Sequence, residues 1–222
     1  MKFLVLGATG TTGTLFVDQA LEAGHEVIAY VRDAAKLPAR DRLSAVTGNV
    51  RDANGLAEAM QGVDAVVSAL GLGRAKDPGG LIADSTRALV EAAERTGTRR
   101  VLIMSAFGVG ESLSKASAVA RFMYNSGGKA TFADKAAGEA MLTASDLDWT
   151  LAYPVLLTNK PNSGKVRAID LKELDRLPGL PRISRADVAA FLLGAAASGE
   201  WSRRIAVLLT GTALKTRSLR PL

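Results

Sequence analysis

Apolar residues in this chain fall into short blocks separated by longer stretches with helical spacing. Phe3-Leu4-Val5-Leu6, His25 to Val31, Leu43 to Thr47, Asp64 to Ala69, Arg100 to Ser105, Leu147 to Tyr153 and Ile205 to Leu209 each read as a strand. The block ending at Ala69 is nearly unbroken, as expected of a central parallel strand covered on both faces. Helical spacing links Leu15, Phe16, Ala20 and Leu21, and again Leu81, Ile82, Ser85, Leu89, Ala92 and Ala93, with Gly97 as the stop. A short helix from Asp52 to Met60 is expected to start on an Asp52 cap. Further helices are expected from Leu113 to Tyr124, broken by Asn125 to Gly128, from Thr131 to Thr143, and from a Ser184 cap to Ala197. Pro154 stops the sixth strand, and Val155 to Gly164 reads as loop. Strand and helix alternate throughout, which predicts an α/β fold on a doubly wound parallel sheet. No repeat or linker interrupts the pattern. Residues 1–214 are therefore expected to form one domain, and the basic tail from Lys215 to Leu222 to be mobile.

The first turn carries the strongest chemical signal. Gly7, Gly10 and Gly13 follow the first strand in GATGTTG and lead into a helix. Such a turn aims backbone N–H groups and the positive end of a helix at one point, a geometry suited to the pyrophosphate of a dinucleotide. The spacing GxxGxxG is one residue wider than the GxGxxG fingerprint, and glycine also serves tight turns that bind nothing. The second strand ends at Arg32-Asp33, where a dinucleotide fold meets the adenosine ribose. An aspartate there accepts from the 2′-hydroxyl, whereas an arginine fork suits a 2′-phosphate. Arg32, with Lys36 nearby, favours NADP, NAD being the alternative; a plain charged loop is the bland reading. Asn49-Val50 is placed to hold adenine, and the small stretch Ala69-Leu70-Gly71 to admit the cofactor close to the backbone, unless it only makes a turn. Ser105 arrives at the carboxyl edge of the sheet, where ligands of open α/β sheets bind. Lys135 and Glu139 stand at i and i+4, a spacing that supports an exposed ion pair.

Composition narrows the chemistry. The 222 residues include no cysteine and one histidine, His25, so disulfides, thiolate catalysis and a polyhistidine metal site are excluded. His25 reads as a turn residue, and no metal site is expected. A reducing, cytoplasmic setting is the expectation, since the N-terminal apolar run is too short for a signal peptide and no stretch approaches a bilayer span. The formal charge is +6. Basic pairs at Arg99-Arg100 and Arg203-Arg204 lack any nucleic-acid signature, so a solvated surface and a site for a phosphorylated cofactor account for them better.

Together these landmarks resemble the atypical short-chain dehydrogenase/reductase superfamily, in its compact NAD(P)H-binding, NmrA-like branch of the biliverdin-IXβ reductase/flavin reductase type. The matching segments are GATGTTG, VRD at Val31 to Asp33, GNVRDA at Gly48 to Ala53, SALG at Ser68 to Gly71, SAFGVGES at Ser105 to Ser112, LDWTLAYPVLLTN at Leu147 to Asn159, and ISRADVA at Ile183 to Ala189. The resemblance implies a Rossmann fold with NADP(H) along the top of the sheet, contacting Gly7, Thr9, Gly10, Thr11, Thr12 and Gly13, and substrate over the nicotinamide. One departure bears on mechanism: the superfamily's Tyr-x-x-x-Lys pair becomes Thr131 and Lys135, and a threonine hydroxyl is a far poorer acid than a tuned phenol. The segment from Gly108 to Ala130 is also longer than in the flavin-reductase type. Reduction of a flavin or quinone needs a protein acid less than ketone reduction does, so a flat aromatic acceptor is the expected substrate. Ser105 is expected to hydrogen-bond the acceptor and Lys135 to hold the nicotinamide ribose. Pro154, Val155 and Leu156 would wall the nicotinamide, with Phe107 and Tyr124 offering stacking surface. The plainer readings are a backbone-capping Ser105, a Lys135 paired only with Glu139, and a core Tyr124. An NADP-sensing regulator without turnover is the alternative function; a monomer or weak homodimer that binds neither nucleic acid nor membrane is expected.

Overall fold

The computed structural model describes residues 1–73, 77–125 and 128–211. Its centre is an eight-stranded sheet. Strands β1 (Lys2–Leu6), β2 (Glu26–Val31), β3 (Leu43–Thr47), β4 (Ala65–Ser68), β5 (Arg100–Met104) and β6 (Asp148–Pro154) are parallel neighbours in the order β3-β2-β1-β4-β5-β6. The Val5, Val67, Leu102 and Leu151 side chains of the middle strands are fully buried, as a sheet covered on both faces requires.

Helices α1 (Thr11–Glu22) and α6 (Arg185–Ser198) pack together over the sheet, while α2 (Ala53–Ala59), α3 (Leu81–Thr96) and α5 (Lys129–Ala144) form a second packed set. The expected caps are present: Asp52 accepts from Asn54 N–H and Ser184 from Asp187 N–H. From β1 the chain turns first to β2 and later to β4, so the strand order reverses there and opens a crevice at the carboxyl ends of β1 and β4.

Four expectations are corrected. The sheet is not wholly parallel: β8 (Val166–Asp170) pairs antiparallel with β10 (Arg204–Thr210) and forms the edge. Residues 155–164 are not all loop, because β7 (Leu156–Thr158) pairs with β9 (Arg182–Ser184) in a small second sheet. The expected helix from Leu113 splits into a 3-10 turn, Gly110–Leu113, and α4 (Ala118–Asn125). Pro154 ends β6 from within, its carbonyl accepting from Phe107 N–H. The tail from Lys215 to Leu222 lies outside the described residues. No described helix is long and apolar enough to cross a membrane.

Candidate functional site

The glycine turn after β1 is built for close approach. Gly7 has φ +80°, a left-handed conformation that favours glycine, and a Cβ there would lie 2.9 Å from the Ala69 carbonyl after β4. A Cβ on Gly13, in the first turn of α1, would meet Gly7 O at 2.1 Å. The Gly10 N–H bonds to Gly7 O and the Thr14 N–H returns to Gly10 O, while no side chain caps α1. The amides of Thr11, Thr12 and Gly13 therefore have no intrahelical acceptor and lie at the positive end of the helix. That donor set, on a cradle no side chain could enter, fits a dinucleotide pyrophosphate.

Beside it lies a cavity of ≈630 Å³. Gly7, Thr9, Gly10, Arg32, Asn49 and Val50 line it, with Ala69, Leu70 and Gly71 on the opposite wall. Tyr30, Arg51, Leu72, Pro78 and Leu81 line it too and were not expected. Tyr30 had a signal, since the alternation in β2 carries it to the strand top. Its hydroxyl fills the space above Gly48, where a Cβ would come within 2.1 Å of it. Burial pushes the Tyr30 phenol up, with Asp52 and Glu58 acting in the same direction. Arg51 is committed to the start of α3, donating to Gly79 O at 2.7 Å and pairing with Asp84 in its first turn at 3.3 Å.

At the end of β2 the two candidate ribose residues part. Arg32 lines the cavity. Asp33 turns away, accepting from Ala35 N–H at 3.1 Å and pairing with Lys36 at 3.7 Å. Lys36 belongs to this 3-10 turn, outside the cavity lining.

Along the same edge the ladder between β5 and β6 continues past both strands. Ser105 N–H donates to Ala152 O and Phe107 N–H to Pro154 O, which brings Ser105, Phe107, Pro154 and Val155 together. Ser105 and Lys135 meet at a residue assigned differently from sequence, Glu139. Glu139 is not in the exposed ion pair expected with Lys135: it is 9% exposed, and Tyr153 Oη donates to its Oε2 at 2.5 Å. Ser105 is near enough for its hydroxyl to pull the Glu139 pKa down, yet Ser105 Oγ and Glu139 Oε1 lack a well-formed hydrogen bond among the described residues. Burial raises Glu139 overall, against the downward pull of Ser105, Tyr153 and Lys135. Burial lowers Lys135, opposed by Glu139 and Asp134. Asp134, the neighbour of Lys135, accepts from Ile82 and Ala83 N–H and so caps α3 from α5.

Of the expected stacking surface Phe107 is covered, while Tyr124 also lines a hollow of ≈230 Å³ with Gly108, Phe132 and Ala136. Phe107, Tyr124, Val155 and Leu156 surround a space of ≈10 Å³, room for about one water. Phe107 is a core side chain, and Tyr124 packs edge-to-face on Phe132 at 5.4 Å. The cover is clasped: Lys115 Nζ donates to Leu171 O and Leu174 O at 3.0 and 2.6 Å, and Ser117 Oγ donates to Gly179 O at 2.7 Å. His25 sits at the opposite, amino edge against Phe3, where burial and the N-terminal charge lower its pKa.

A family model described as NAD(P)H-binding matches residues 7–198. The photosystem II assembly factor Ycf39 of Synechocystis is 38% identical over 71 residues, 31% of this chain and 22% of that protein. The matched segments span 18–35% of the length of the curated relatives. Among solved structures, the Escherichia coli protein ChuY, described as an anaerobillin reductase, superposes with TM-score 0.77 and 23% identity over 100% of both chains. A Veillonella parvula short-chain dehydrogenase/reductase in complex with NADP gives TM-score 0.80 and 17% identity, covering 96% of this chain and 95% of that one. At these identities the likeness is one of fold. The family match embraces the glycine cradle, the cavity and the edge that carries Ser105, and the chain belongs to the NAD(P)H-binding family, on a Rossmann-type fold.

Proposed function

We propose that this protein is an NADPH-dependent reductase that passes hydride to a flat acceptor such as a flavin or quinone. The observation that carries the reading is the continuous carboxyl edge. The phosphate cradle after β1 and Ser105 after β5 lie at the carboxyl ends of strands of one sheet. Preference for NADP rests on Arg32 lining the cavity while Asp33 is turned into its own 3-10 turn. The bound dinucleotide supplies the hydride; the chain's work is to hold it, orient the acceptor and keep water out. Fold neighbours described as an anaerobillin reductase and as an NADP complex support the same reading.

A second reading, an NADP-responsive regulator with little turnover, is favoured by one feature: the cover leaves only ≈10 Å³ where an acceptor would stack. NADP and NAD titrations followed by NADPH oxidation against a panel of flavins and quinones separate the two. Tight NADP binding with turnover on a flat acceptor is expected. Binding without oxidation by any acceptor transfers the assignment to the regulator, and no binding of either nucleotide removes both.

A further inference from the structure

We propose that the cavity where β7 and β9 meet the start of α6 is a second anion site, built for a small sugar-like phosphomonoester and separate from the dinucleotide crevice. The hollow measures ≈550 Å³, a volume typical of small-molecule sites, and shares no lining residue with the cavity beside the glycine turn. It also draws on other strands. Thr210 comes from β10, and Thr158 and Ser184 come from the small second sheet. Arg182 and Ser184 are two apart in β9 and share a face, with Thr158 beside Ser184 in the parallel register. Lys160, Pro161, Asn162 and Ser163 carry the chain around the rim.

Bonds within the chain fix this frame. Thr158 Oγ1 donates to Ile183 O at 3.3 Å, and Arg185 Nη1 to Asn159 Oδ1 at 2.6 Å. Ser163 N–H and Oγ donate to the Asp187 carboxylate at 2.7 and 2.9 Å. Asp187 is the one carboxylate in the lining, is 1% exposed, and has both oxygens engaged by Ser163. The groups left over are donors. Lys160 and Arg182 are exposed and make no hydrogen bond or ion pair among the described residues. Asn162 uses its Oδ1 on Gly164 N–H, which leaves its amide N–H groups, and Thr210 adds a hydroxyl. A guanidinium fork, an ammonium, an amide and a hydroxyl around one hollow suit the three terminal oxygens of a phosphomonoester, which carries close to two charges at neutral pH. A singly charged carboxylate would leave part of that donor set unmatched.

The test is calorimetric titration of the whole protein with ribose 5-phosphate and with ribose, each with and without saturating NADP. Saturable binding of ribose 5-phosphate, roughly 10-fold tighter than that of ribose and unaffected by NADP, is expected. K160A and R182A should each weaken the ester by about 10-fold with NADP affinity unchanged, while K172A, outside the lining, binds it as wild type does. Equal affinity for ribose, wild-type binding in both K160A and R182A, or an equal loss in K172A overturns the site. Displacement of the ester by NADP overturns it too, because the phosphate then belongs to the dinucleotide crevice. The site does not depend on the reductase reading: a protein that binds ribose 5-phosphate through Lys160 and Arg182 but takes neither NADP nor NAD loses that reading and keeps this one.

Discussion

Arg32 and Asp33 are neighbours with opposite consequences for cofactor choice, and the sequence reading favoured Arg32. In the structure Asp33 caps the next turn, which engages its oxygens, while Arg32 lines the cavity. Replacing Arg32 by Ala is expected to weaken NADP by on the order of 1.5–3 kcal/mol, with NAD affinity unchanged, measured by calorimetric titration of each. Glu139 shows the reverse problem. A Lys-x-x-x-Glu spacing says that two side chains share a helix face but not whether that face meets water. The i,i+4 pattern looked like surface decoration because α5 has small residues on several sides, so hydrophobic periodicity hardly marks its buried stripe. Tyr153, which fixes Glu139, was hidden in an apolar strand where an aromatic ring reads as core.

At the scale of elements, the strands β1 to β6 and β10 and the helices with a clear stripe were legible to within a residue or two. β7 and β9 were not, since three residues carry no period, and β8 lay in a stretch, 165–183, to which no element was assigned. The helix expected from Leu113 was cut because Lys115, Ala116 and Ser117 pair with the 171–179 segment. Helix α3 is a case where the cap is supplied from another element. Gly80 offers no side chain, and Asp134 of α5 accepts from the Ile82 and Ala83 amides. Asp134→Ala should therefore lower stability by about 1–3 kcal/mol. A lower denaturant midpoint at unchanged slope, with faster hydrogen exchange at Ile82 and Ala83, is the expected signature.

Across the whole molecule, the strand reversal at β1 and β4 was foreshadowed by alternating strands and helices with the glycine turn at the start. The antiparallel edge was not. The buried acid gives stability a pH dependence of definite sign. Glu139 is raised above its ordinary 4.5, so its favourable contribution is complete below that value and is lost as pH rises through the folded-state pKa. Thermal melts from acid to neutral pH should show wild type losing ground to E139Q as pH increases. Lys135, lowered by burial, disfavours the folded state once protonated, and that penalty disappears above its ordinary 10.5. The clasp over the acceptor region has a different kind of consequence. On one strand of the catch the partners are an ammonium and a hydroxyl, Lys115 and Ser117; on the other they are main-chain carbonyls at Leu171, Leu174 and Gly179, which every amino acid possesses. Drift in the receiving segment can thus proceed without unfastening it, whereas an exchange at 115 or 117 removes one of its two side-chain fasteners.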